Sequence, residues 1–131
     1  MTRFRGGNQI SGALFELSGS VANNATWQES IYFTQEGEPM DLTGLSFKMT
    51  FRCNGESTSA DYTLSTDDGT LSIVTDADSG VDRILYINVS AGSLSGLRGD
   101  YVADLASQDV ADVVTLWGHG VVTFAPNPVT F

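Results

Sequence analysis

The stretch Leu45-Ser46-Phe47-Lys48-Met49-Thr50-Phe51-Arg52-Cys53 sets an apolar residue at every odd position and a polar one at every even position. Alternation with period two is the pattern of a strand with one buried and one wet face, whereas a helix would scatter these residues around its circumference. Cys53 ends the buried face, which predicts a small core hydrophobe rather than a nucleophile.

Outward from this strand the β signal persists. Thr26 to Thr34 carries Trp27, Ile31 and Phe33 on one face, with Glu29 as the exception. Tyr62 to Ser65 and Thr70 to Thr75 flank Thr66-Asp67-Asp68-Gly69, and an Asp-Gly pair between strands predicts a hairpin turn. Arg83 to Ser90 places Leu85, Ile87 and Val89 together, and Asp100 to Ser107 turns Tyr101, Ala103 and Leu105 inward. Val113 to Trp117 and Val121 to Phe124 close the series, with Gly118 and Gly120 between them marking a bulge or a close backbone approach. Leu14 to Ser20 adds a candidate edge strand. The one hint of helix, Ser90 to Leu97, contains two glycines and supports at most a single turn. Seven to eight short strands joined by Gly, Asp and Asn turns predict an all-β protein, an antiparallel β-sandwich over residues 14–131.

Residues 1–13 read differently. Arg3, Phe4 and Arg5 form a basic, aromatic cluster, followed by Gly6, Gly7 and Gly12. Such glycine content disfavours regular structure, so the segment is expected to be an arm, either frayed or docked on a neighbouring subunit. Two of the six basic residues lie here, against sixteen acids and a net charge of −10 for the 131-residue chain. Phosphate binding needs clustered cations, and an anionic membrane surface needs the same, so nucleic acid and membrane partners are not expected. No apolar run approaches the ~20 residues that span a bilayer, and the N-terminus lacks the apolar stretch of a signal peptide. On that ground Asn24-Ala25-Thr26 and Asn88-Val89-Ser90 are treated as chance matches to the glycosylation triplet.

Candidate chemistry is sparse. His119 is the only histidine and has no serine in a nucleophile-elbow context, and with one distant cysteine it makes no zinc site. Asp76-Ala77-Asp78-Ser79-Gly80-Val81-Asp82 could in outline wrap calcium, yet Gly80 and Ile87 stand where the EF-hand loop needs ligands. A solvated turn is the reading preferred. No catalytic, metal or cofactor residues are therefore expected. Among the aromatic residues, Tyr32 opposes Trp27 and Phe33 in parity and is the candidate exposed ring.

Several short motifs resemble a family of small tailed-phage virion proteins related to the N-terminal domain of the phage baseplate upper protein. They are Thr26-Trp27, Asp41-Leu42-Thr43-Gly44, Ile87-Asn88-Val89-Ser90, Gly99-Asp100-Tyr101 with Asp104-Leu105, Gly120-Val121-Val122-Thr123-Phe124, and Pro128-Val129-Thr130, in the same order over residues 26–130. The resemblance implies an immunoglobulin-like β-sandwich with an assembly role in the virion and no active site. The expected partners are other virion proteins, capsid or tail subunits, with homo-oligomers in the particle and Arg3, Phe4 and Arg5 at the subunit interface. Two placements compete: the tail or baseplate–fibre region, and the capsid surface as a decoration (cement) protein. A carbohydrate-binding module is the rival of a different class. It requires exposed aromatic rings, and burial of both Trp27 and Trp117 would count heavily against it.

Overall fold

The computed structural model describes residues 3–5, 15–53 and 60–128. The strands there are β1 (Arg3–Arg5), β2 (Phe15–Ala22), β3 (Trp27–Tyr32), β4 (Thr34–Gln35), β5 (Glu38–Pro39), β6 (Ser46–Arg52), β7 (Tyr62–Ser65), β8 (Leu71–Val74), β9 (Ile84–Val89), β10 (Gly99–Gln108) and β11 (Val114–Ala125). Eight of them have four residues or more. A single 3-10 turn, Ala91–Leu94, tucks Leu94 into the core, as the two glycines of that segment allow.

The strands form a six-stranded sheet ordered β1-β2-β11-β10-β6-β7, a three-stranded sheet ordered β3-β9-β8, and the short β4-β5 hairpin. Buried residues of the two larger sheets share one core. Trp27 of β3 packs edge-on against Phe124 of β11, with ring centroids 6.2 Å apart. Phe33, next to β3, meets Phe47 of β6 and Trp117 of β11, each at 5.5 Å. The alternation of β6 decides its side of this packing: Phe47, Met49 and Phe51 are fully buried, while Ser46 and Lys48 are exposed.

Several expectations change. The strand predicted at the edge, now β2, is interior and runs parallel to β11, so the six-stranded sheet is not purely antiparallel. The parallel seam is close because of two glycines: a Cβ on Gly120 would sit 1.8 Å from the Leu17 carbonyl oxygen, and one on Gly118 would sit 2.8 Å from the Leu17 side chain. The two closing strands are one, β11, with the register against β10 slipping between Leu105 and Ala106. Trp117 is the extra residue. It and Gly118 are buried in succession, and the inward parity thereby passes from Trp117 to Val122 and Phe124. Thr66-Asp67-Asp68-Gly69 does turn the chain, with Gly69 at φ 82°, but its flanking strands pair in different sheets, β7 with β6 and β8 with β9. The turn crosses between sheets instead of closing a hairpin. Cys53 is exposed, because β6 ends at Arg52 and the chain bends away there.

Arg3–Arg5, assigned by sequence to an arm, lies antiparallel to β2 as the edge strand, with Phe4 opposite Leu17. The rest of the predicted arm, residues 1–2 and 6–13, falls outside the described residues.

Candidate functional site

The sheet register gathers ionisable residues that are far apart in sequence. On the outer face of the six-stranded sheet, Asp104 of β10 stands opposite His119 of β11 and Thr50 of β6. His119 Nδ1 and Asp104 Oδ1 are 2.6 Å apart, and Arg52 donates to Asp104 Oδ2 at 2.7 Å. The Asp104 carboxylate thus has a partner on each oxygen, and its neighbours come from strands on either side. The same register sets Glu16 beside His119 and Arg5 beside Glu16, so charged positions continue across β2 and β1.

A histidine held at Nδ1 by a carboxylate is half of a nucleophile-activating set. The other half would be a hydroxyl or thiol at Nε2. The single thiol, Cys53, sits elsewhere, and its own surroundings oppose ionisation: hydrogen bonding and charge from Asp61 push the Cys53 thiol up. The Arg52–Asp104–His119 cluster reads as a cross-strand tie that neutralises charge on an open sheet face.

The Asp76–Asp82 loop is organised by its own residues. Asp76 is buried and accepts from the Asp78 backbone N–H at 3.0 Å, the Ser79 hydroxyl at 3.2 Å and Arg83 Nη1 at 3.3 Å. These bonds, led by the Asp78 N–H, hold its carboxyl below the usual carboxylate range against the opposing effect of burial. Arg83 also donates to the Phe33 carbonyl at 3.2 Å and to Thr34 Oγ1 at 3.0 Å, tying the loop to the end of β3. Among the described residues, no three His, Cys, Asp or Glu side chains converge as a metal site.

Tyr32 is 49% exposed, and the Arg83 guanidinium lies 5.3 Å from its ring centroid. Trp27 and Trp117 are only 5% and 6% exposed. Each indole nitrogen is used internally: Trp27 Nε1 donates to Glu29 at 3.4 Å, and Trp117 Nε1 to the buried Ser107 hydroxyl at 2.7 Å. This explains Glu29, the exception on the inward face of β3, whose carboxyl is pushed up by burial.

Sequence reasoning missed Asp76, Arg83, Asp104 and Ser107 as organising residues. Asp104 and Ser107 were legible as strand positions, but their partners depend on the register. Asn23, buried, was also missed; its side-chain amide donates to the Leu97 carbonyl at 2.7 Å. What the cluster and the hairpin beside it leave open is apolar: Val114, Leu116 and Val121 of β11 are exposed, and Val114 lines a cleft of about 260 Å³ together with Lys48, Asp67 and Gln108. No known family model matches the chain, and no curated protein matches it in sequence.

Proposed function

We propose that the chain is a non-enzymatic structural subunit of a tailed-phage particle, an immunoglobulin-like β-sandwich that docks on other virion proteins. The motif order from Thr26 to Thr130 carries the virion reading, and the strand order supports its fold. On this reading β3-β9-β8 corresponds to strands B, E and D of that fold, and β6, β10 and β11 to C, F and G, with β7 as an added C′ strand. Its docking element is the basic edge strand Arg3–Arg5 with its flanking residues. A subunit role also agrees with side chains spent on internal ties, such as Arg83 and Asp104.

Purified particles of the source phage test the proposal. Mass spectrometry of density-banded particles is expected to recover the chain in stoichiometric amounts, and antibody labelling to place it on the capsid or on the tail. Its absence from banded particles overturns the virion reading. Deleting residues 1–13 is expected to reduce association with particles that lack the protein. The carbohydrate-binding reading loses its two tryptophan platforms to the core, and robust glycan binding, with or without calcium, would restore it.

A further inference from the structure

We propose that the outer face of β6, β10 and β11 is the contact between two copies of this chain, related by a twofold axis beside the Lys48–Asp67 cleft. The inference is independent of where the protein resides. Among the described residues, five of the seven exposed large hydrophobic ones belong to the hairpin from Val110 to Val121, with Val110 at its tip 92% exposed. Singly scattered apolar residues need no explanation, but here the register sets them in rows: Val102 opposite Val121, and Ala106 opposite Leu116, with Val114 beyond.

Charge selects the occupant. The chain carries −10, so two copies repel wherever their acidic turns meet. On the outward strand positions of this face the charges balance, and the acids beside it, Asp67, Asp109 and Asp112, lie in turns. Lys48 and Arg52 stand against Asp100 and Asp104, with Arg52 bound to Asp104 and Asp100 accepting from Thr123 at 2.6 Å. It is a surface on which two acidic bodies can meet. An isologous contact must also be self-complementary, each residue of a pair serving twice. Lys48 and Asp67 supply this. Both line the same cleft, and among the described residues neither has an ion-pair partner. A twofold copy brings Asp67 of one protomer to Lys48 of the other, and the reverse. Three strands ~4.8 Å apart and some nine residues long give a flat footprint of roughly 400 Å² per copy. That is below the ~800 Å² per partner of a standard interface, so the association is weak and reversible in dilute solution.

Sedimentation equilibrium of the full chain over about 10–500 µM tests this. A monomer–dimer equilibrium is expected. Val114→Ser with Leu116→Ser is expected to weaken it at least about tenfold while leaving the thermal melt unchanged, since both side chains are exposed. Lys48→Asp and Asp67→Lys, each alone, are expected to weaken the dimer, and the double exchange to restore it. A chain that stays monomeric throughout the range overturns the proposal. So does a dimer indifferent to the double serine variant, or one in which the charge exchange fails to rescue.

Discussion

The two larger sheets present outer faces that are both nearly neutral, by opposite means. On the three-stranded sheet the outward positions of β3 and β9 are Gln28, Ser30 and Tyr32 opposite Asn88, Tyr86 and Ile84, none of them charged. Gln28 simply donates to Asn88 at 3.3 Å, and the nearest cation, Arg83, is drawn over Tyr32 at one end. On the six-stranded sheet the outward positions of β6, β10 and β11 are charged and apolar together, and neutrality comes from setting Lys48 and Arg52 against Asp100 and Asp104, with Arg52 bound to Asp104. Among the described residues the acids therefore act mostly in turns, where Asp41, Asp68, Asp76 and Asp109 accept from backbone N–H groups two residues on. Net charge in this molecule is mainly a property of its loops.

The most disruptive test strikes the seam that makes the second face possible. Gly120→Ala places a methyl 1.8 Å from the Leu17 carbonyl oxygen and 2.4 Å from its carbon, and backbone cannot swing aside as a side chain can. The expected loss is about 4 kcal/mol or more, seen in chemical denaturation as a collapse of the transition or as no folded protein. Gly118→Ala meets only the Leu17 side chain, at 2.8 Å, and is expected to cost less, about 1–3 kcal/mol. Equal stability of Gly120→Ala and the wild type would remove the close parallel seam from the fold.

The next test loosens the end of the three-stranded sheet. Arg83→Ala leaves the Phe33 carbonyl, Thr34 and Asp76 without their cationic partner. About 2–3 kcal/mol is expected from denaturant titration at neutral pH. Its acid behaviour is specific. Asp76 has a folded pKa below the ordinary 3.8, so its contribution is present above that value and is lost as pH falls through the lowered folded one. The wild-type melting temperature should therefore fall as pH drops below about 4. Asp76→Asn should flatten that fall without abolishing it, since Asp41, Asp61 and Asp68 are lowered too. An unchanged pH slope in Asp76→Asn would sink this account of the loop.

What the sequence disclosed follows from range. The alternation of β6, the inward phase of Tyr101, Ala103 and Leu105, and the exposure of Tyr32 are local parity, and all were legible. The glycines at 118 and 120 announced a bulge or a close approach, and the structure has both, but nothing local showed that Leu17, about a hundred residues earlier, would be the neighbour. The Thr66–Gly69 turn looked like a hairpin because turn chemistry is local, whereas sheet membership depends on pairings elsewhere. The Arg52–Asp104–His119 cluster was out of reach for the same reason. Its members come from three strands, and the slip between Leu105 and Ala106 changes which residue faces Asp104. Cys53 was misjudged by extending a parity one residue past the end of its strand.

The smallest expected change in stability is also the most discriminating between the faces. Asp104→Asn keeps the shape of the side chain and removes the charge that binds Arg52 at 2.7 Å and His119 at 2.6 Å. Both carboxylate contacts lie on a partly open surface, so the stability cost should be about 0.2–1 kcal/mol, barely moving the melt. The face, however, is left with Lys48 and Arg52 against Asp100 alone. If two copies meet there, Asp104→Asn should weaken their association several-fold, and less so at high salt, where the exposed cations are screened. A matching removal of polarity from the other face, Gln28→Ala, should leave association untouched. Equal effects of the two substitutions on sedimentation would mean that pairing charges on the six-stranded sheet serves the fold and not a contact.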